Sequence, residues 1–231
     1  MLFLFDIDGT LVAGATDAHR DALHAALREV HGVDATKARW PIAPAGRTDG
    51  EIARALLLAA GVSAERIDDR ADLVQEVCCR EYTQRATDDL TDTVLPGIES
   101  LLEWLGSLDG VTLGLVTGNY ECVARRKLSC AGLGAVFPSG IGGFGSDHED
   151  RSALPTIARR RAGERGRPYP REKTIVIGDT PRDIACAQAD GLRCFAVTTG
   201  PFAPGDLEGA DVVAENAAEL RAAIEAALDA A

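Results

Sequence analysis

Aromatic residues make up only 5% of the 231-residue chain and methionine occurs once, so any core must be built from aliphatic side chains. The 46% hydrophobic content supplies enough of them for one large or two small domains. Basic charge is also short. Lys plus Arg number 24 against 36 Asp plus Glu, a formal charge of -12. Binding to nucleic acid needs a basic surplus to displace counterions, so no nucleic-acid partner is expected. No apolar run reaches the roughly 20 residues that a membrane-spanning helix needs. The N-terminal run Leu2-Phe3-Leu4-Phe5 stops at Asp6, too short and too acidic for a signal peptide. The expectation is a cytoplasmic protein with no membrane partner. The six cysteines, at 78, 79, 122, 130, 186 and 194, contain no C-x-x-C, and no histidine stands at finger spacing. Neither a zinc site nor a disulfide framework is expected, and four of the six fall in apolar patterns as small hydrophobes. Lysine occurs three times against 21 arginines, which makes each lysine conspicuous.

Apolar runs of strand length occur at Leu2–Ile7, Val111–Thr117, Thr174–Gly178, Cys194–Thr198 and Asp211–Val213, with helical patterns between the later ones. That alternation predicts an α/β fold with a Rossmann-like parallel sheet. Asn119 is placed to cap a helix over Tyr120–Ala131 that stops at Gly132, and Thr180-Pro181 opens one that stops at Gly191. A last helix runs from Ala217 to Leu228. Residues 13–93 differ, with helical periodicity and no strand. Ala22, Leu23, Ala26, Leu27 and Val30 form one stripe. Ile52, Ala55, Leu56 and Ala59 form a second, behind the capping box Thr48-x-x-Glu51, and Leu73, Val74 and Val77 a third. The expected organisation is a core of residues 1–12 and 94–231 with an all-helical insert at 13–93. The crossings near 13 and 94 should pair, with Val94-Leu95-Pro96-Gly97 as the return hinge.

Asp6-Ile7-Asp8-Gly9-Thr10 follows the first strand directly, at the carboxyl end where open α/β sheets place their ligands. Two residues apart on a strand, Asp6 and Asp8 share a face. The plainer alternative is a turn at Asp8-Gly9 with Asp6 as a solvated strand end. Val116-Thr117-Gly118-Asn119 ends a second strand and offers a hydroxyl and a helix start that can cradle phosphate. Ile177-Gly178-Asp179 ends a third, and Asp183 follows one helical turn on, where a first-turn acid is favoured by the helix dipole in any case. Carboxylates converging at strand ends repel unless a cation lies among them, and an all-oxygen donor set points to Mg²⁺.

With these motifs the chain resembles the haloacid dehalogenase superfamily, in particular its helical-cap phosphatases of the phosphoglycolate phosphatase and β-phosphoglucomutase type. D-x-D-G-T, the hydroxyl after the second strand, G-D-x-x-x-D and the Leu95-Pro96-Gly97 hinge occur in order and at family spacing. The resemblance implies that residues 13–93 are a cap domain. It implies a phosphatase acting on a small phosphorylated metabolite, as monomer or homodimer. Asp6 would become an aspartyl-phosphate, and Asp8 would be the general acid and base. Thr117, with Gly118 and Asn119, would hold the phosphoryl group, and Asp6, the Asp8 carbonyl, Asp179 and Asp183 would hold Mg²⁺.

The family's basic residue departs from the usual pattern, since no Lys-Pro follows the Gly-rich segment. Lys127 and Arg151 are the candidates. Lys127 is favoured because it shares a helical face with Val123, Ala124 and Leu128, an odd place for a solvated lysine. Gly46-Arg47-Thr48-Asp49 resembles the cap's specificity loop, from which Arg47 could clamp a second anionic group. Gly140–Gly145 matches G-x-G-x-x-G but opens no helix, so a dinucleotide site is rejected. Arg159-Arg160-Arg161 reads as solvated surface, and His19, His24 and His31 give no metal spacing. The competing readings are a β-phosphoglucomutase-like mutase and a phospho-acceptor or non-catalytic binding protein. A phosphonatase would need Lys37, the only lysine of the insert.

Overall fold

The strand-length runs pair as one parallel sheet in the computed structural model, which describes residues 1–37 and 41–230. The side chain of Lys37 lies outside the described residues. The strands are β1 (Leu2–Phe5), β2 (Thr112–Thr117), β3 (Gly142–Phe144), β4 (Thr174–Gly178), β5 (Arg193–Val197) and β6 (Val212–Ala214). They lie in the order β3-β2-β1-β4-β5-β6. Leu2 stands opposite Thr112 on one side and Thr174 on the other, so β1 is paired along both edges. Its faces divide by the period of two: Phe3 and Phe5 join one apolar cluster with Leu115, Ile175 and Ile177, while Leu2 and Leu4 join another with Val116 and Val176. Burial on both faces explains why these strands read as continuous apolar runs. The order reverses at β1, opening a crevice at the carboxyl ends of β1 and β4.

β3 is the strand absent from the expected set. It lies within the glycine-rich run, and a Cβ on Gly143 would overlap the Leu154 backbone. Glycine there lets the next helix pack directly on the strand, which removes the β-branched signature by which strands are recognised.

Helices α1 (Asp17–His31), α2 (Asp49–Ala59), α3 (Ala64–Asp68) and α4 (Ala71–Arg85) fill the insert, with no strand among its described residues. The α1 stripe is buried as expected. On α2 the buried positions are Ile52, Ala53, Leu56 and Leu57, whereas Ala59 is exposed, and on α4 Leu73 is exposed. The shift on α2 follows from its packing: Ala53 and Leu57 join Ile52 and Leu56 in the cluster shared with α1. These side chains form their own cluster, completed by Tyr120 and Val123 from outside the insert. The crossings run side by side, with Ala13 N–H donating to Thr93 O at 2.8 Å and Leu95 N–H to Leu11 O at 2.9 Å.

Helices α5 (Ile98–Gly106), α6 (Glu121–Cys130), α7 (Leu154–Ala162), α8 (Pro181–Ala189) and α9 (Ala217–Asp229) surround the sheet. No helix among the described residues is long and apolar enough to cross a membrane. Two expectations are corrected. Cys79 on α4 and Cys122 on α6 form a disulfide, a pairing of distant residues that spacing does not reveal; Cys78, Cys130, Cys186 and Cys194 are free and buried. Arg159 is buried rather than solvated. Its Nε lies 2.7 Å from Asp190 Oδ2, and Arg171 shares the same carboxylate at 2.8 Å. Removing Arg159 strands a buried carboxylate. Arg159→Ala should cost about 3 kcal/mol in urea unfolding, the low end of the range for a broken buried pair because Arg171 remains.

Candidate active site

Asp6 leaves β1 still paired to its neighbour, its N–H donating to Ile177 O at 2.8 Å. The chain then turns sharply, with Leu11 N–H bonded to Ile7 O and Gly9 N–H to Val12 O. Gly9 sits at φ 87°, and a Cβ there would overlap the Asp179 carboxylate, so glycine both makes the turn and admits the acid of β4 beside it. Thr10 Oγ1 donates to that carboxylate at 3.1 Å. Asp183, in the first turn of α8, accepts from Thr180 N–H at 3.0 Å and from its hydroxyl at 2.7 Å, completing a capping box. The result is that oxygens of Asp6, Asp179 and Asp183 lie within 4.8 Å of one another, all three residues buried.

Such a group is electrostatically costly. Burial first, opposed by Arg151 and reinforced by Asp183 and Asp8, pushes the Asp6 carboxyl up to about 6. Burial, together with Asp6 and Asp183, pushes Asp179 up to about 8. Among the described residues, the cation packed into the cluster is Arg151, 3.2 Å from Asp6 Oδ2 and paired with Asp183 Oδ1. Desolvation works against its charge, yet the two carboxylates outweigh it and hold the guanidinium protonated.

Asp8 faces the opposite environment. Both of its oxygens lie 2.7 Å from Lys127 Nζ, Asn119 Nδ2 donates to Oδ2 at 3.0 Å, and Lys127 also donates to Asn119 Oδ1 at 2.9 Å. Burial alone would raise this carboxyl, but Lys127, His19 and Asn119 together hold it below the usual carboxylate range. The two basic candidates therefore occupy separate places, Arg151 on Asp6 and Lys127 on Asp8. The Asp8 side chain stands outside the carboxylate cluster, leaving only its backbone carbonyl as a candidate metal ligand. Asn119 does not cap α6, because its amide is committed to Asp8 and Lys127. The cap comes from elsewhere: Tyr120 N–H donates to Asp49 Oδ2 at 2.7 Å and Glu121 N–H to Ser146 Oγ at 3.1 Å. Thr117 is buried at the end of β2, its hydroxyl accepting from Asn119 N–H at 3.3 Å.

The insert roofs this floor. A cavity of about 560 Å³ lies between them, lined by Asp6, Asp8, Gly118, Asn119 and Asp179 below and by His19, Arg20 and Arg47 above. The α2 end is docked tightly: Asp49 N–H donates to Gly118 O at 2.8 Å, and a Cβ on Gly118 would overlap the Arg47 carbonyl. Arg47 lines the cavity but is paired with Glu51, so only half of the expected capping box forms, Thr48 Oγ1 accepting from Glu51 N–H. His19 Nε2 lies 3.0 Å from Asp49 Oδ2, a buried pair that faces the cavity. Their 30-residue separation gave no signal in the sequence.

A family model described as haloacid dehalogenase-like hydrolase matches residues 3–188. The chain belongs to the haloacid dehalogenase-like hydrolases. A phosphoglycolate phosphatase of Cereibacter sphaeroides is 32% identical over 197 residues, covering 85% of this chain and 84% of that protein. Among solved structures, a predicted phosphatase from Clostridium acetobutylicum superposes with a TM-score of 0.66 at 19% identity, over 96% of this chain and 97% of that one. A β-phosphoglucomutase from Clostridium difficile does so with a TM-score of 0.65 at 18% identity, over 99% and 97%. At that identity the two structures speak for the hydrolase fold alone.

For this haloacid dehalogenase-like chain the Lys127–Asp8 pair has a pH signature. A carboxyl held low contributes stability above its ordinary range and loses it as pH falls through the depressed value. Lys127→Met should destabilise the fold at pH 7 by about 3 kcal/mol, since Asp8 is partly solvated and the full cost of a broken buried pair is not reached. That deficit should shrink as pH falls, first where the unpaired Asp8 of the variant takes up its proton and finally below the depressed value that Lys127 imposes on Asp8 in the wild type. Urea unfolding of both proteins at pH 7 and pH 4 measures it.

Proposed function

We propose that this hydrolase is a Mg²⁺-dependent phosphatase that removes the phosphoryl group of a small phosphorylated metabolite through an aspartyl-phosphate on Asp6. The observation that carries this reading is the contrast between two carboxylates at one strand end. Asp6 lies among Asp179, Asp183 and Arg151, whereas Asp8 lies between Lys127 and Asn119. A nucleophile and a proton carrier need such separate surroundings. The name of the Cereibacter sphaeroides relative supports a small substrate, as does the cavity volume. In this reading residues 13–93 act as a cap over a core of 1–12 and 94–231.

The donor set fits a hard divalent cation: three buried carboxylates with no nitrogen or sulfur donor among them, and two of their carboxyls pushed up first by burial and then by the neighbouring carboxylates. Asp6, Asp179 and Asp183 would hold Mg²⁺, with the Asp8 carbonyl as a further oxygen. When bound, the ion supplies neutralisation of the phosphoryl and nucleophile charges and polarisation of the phosphoryl group.

The protein's own groups do the rest. An Asp6 oxygen attacks phosphorus as the leaving oxygen takes the proton of Asp8; Asp8 then accepts a proton from the water that cleaves the acyl phosphate. A phosphate dianion beside Asp8 raises its carboxyl against the pull of Lys127, so that it carries the proton when substrate is present. Arg151 offsets the repulsion between Asp6 and the dianion, about 4 kcal/mol per charge pair at 4 Å in a medium of effective dielectric 20. The Thr117 hydroxyl, with Gly118 and Asn119 on the cavity floor, receives the phosphoryl oxygens. Arg47 meets a second anionic group of the substrate, and the roof keeps water from the acyl phosphate until hydrolysis.

Phosphate release from a panel of phosphorylated metabolites that includes phosphoglycolate should be Mg²⁺-dependent. It should disappear in Asp6→Asn and fall by about 10² to 10⁴ in Asp8→Asn. Silence across the panel, or undiminished turnover in Asp6→Asn, overturns the reading.

The raised carboxyls also make a stability prediction. A group with a raised folded value favours the fold at low pH and loses that contribution as pH climbs through the folded value. Metal-free protein should therefore lose thermal stability between the ordinary value of 3.8 and about 8. Added Mg²⁺ should raise Tm more at pH 8 than at pH 5. Differential scanning fluorimetry across that range, with and without the ion, measures it.

A further inference from the structure

Cys79 lies midway along α4, in the insert, and Cys122 in the first turn of α6. Their Cα atoms are 5.8 Å apart and a disulfide joins them, within the span such bonds require. Cys122 is exposed and Cys79 half-buried, so a solvent thiolate can reach the bond. Cys122 follows Asn119 by three residues and precedes Lys127 by five, the two groups that hold Asp8. Its neighbours Tyr120 and Val123 are buried in the insert's apolar cluster. The far end of α6 lies beside the linkers, where Leu90 N–H donates to Cys130 O at 2.9 Å.

The eight residues from Cys122 to Cys130 rise about 12 Å, so the disulfide closes the α4–α6 seam at the end away from the crossings at residues 13 and 93. Any rotation of the insert about those crossings opens the seam first at the disulfide. Other ties between roof and floor, among them Arg54 to Glu149 at 2.6 Å, Thr48 Oγ1 to Glu149 O, Asp49 N–H to Gly118 O and Tyr120 N–H to Asp49, are non-covalent and can break and re-form in each cycle.

We propose that the Cys79–Cys122 disulfide is a redox modification site that clasps the insert onto the active-site helix, holding the cavity closed when oxidised and letting it open when reduced. The reductant is a dithiol, either a small molecule or a protein of the dithiol-disulfide class. Its thiolate attacks Cys122 Sγ, Cys79 leaves as a thiolate and takes a proton, and the donor's second thiolate releases Cys122. The protein gains two electrons and two protons, and the donor ends as its own disulfide. Exposed disulfides are the labile, regulatory kind, and a clasp that slows opening slows substrate entry and product release.

The kinetic part rests on the proposed phosphatase reading; the mechanical part does not. The full chain, oxidised or treated with dithiothreitol, is compared with Cys122→Ser and Cys79→Ser by hydrogen exchange of α4 and α6 and by phosphate release. Reduction should speed amide exchange along the Cys79–Cys122 end of the seam by about an order of magnitude and raise turnover several-fold. Both serine variants should match the reduced protein under either condition. Exchange that does not change on reduction, a serine variant that still responds to dithiothreitol, or equal turnover of an active enzyme in both states overturns the proposal. Exchange that responds in a protein releasing no phosphate supports the clasp and removes the phosphatase reading instead.

Discussion

Like-charge crowding at the carboxyl end of the sheet is the constraint on which the molecule depends. Three buried carboxyl groups within 4.8 Å, when ionised, repel by about 3 to 4 kcal/mol per pair at an effective dielectric of 20. A fold can hold them together only by anchoring each one separately. Asp6 is fixed by the paired backbone of β1, Asp179 by the Thr10 hydroxyl and the space left by Gly9, and Asp183 by its capping box and Arg151. The sheet, packed on both faces, supplies the rigidity, and Arg151 offsets part of the negative charge gathered at the site.

Helix α6 links that floor to its roof. One turn carries Asn119 and Tyr120 at its start, Lys127 lies one face along, and Val123 points into the insert's cluster. The same element therefore sets the charge around Asp8 and receives the α2 carboxylate of Asp49 on its first amide. Displacing the insert removes a cap from this helix as well as a wall from the cavity. Asp49 also orients His19 towards the cavity, so one carboxylate serves helix, roof and site together.

Much of this was legible because it is local. Strand ends, a D-x-D pair and first-turn acids are short-range features, and the period of two and the helical stripes marked where each element begins. The α2 stripe slipped by one helical position, and β3 was missed, because both were decided by what packs against them. Asn119 was read as a helix cap from its position alone, yet Asp8, more than 100 residues away, and Lys127, two turns along α6, claimed its amide. Arg159 was read as surface for the same reason: the carboxylate that buries it lies 31 residues away.

The amino-acid order alone determined the α/β class, the helical insert and the three strand ends that carry the candidate site residues, since each follows from periodicity or from a turn of a few residues. Only the tertiary structure decided which cation meets which carboxylate, that Cys79 faces Cys122, and that His19 faces Asp49. Those pairings join residues 30 to more than 100 positions apart, and their energy depends on distance and burial, which exist only once the chain has folded.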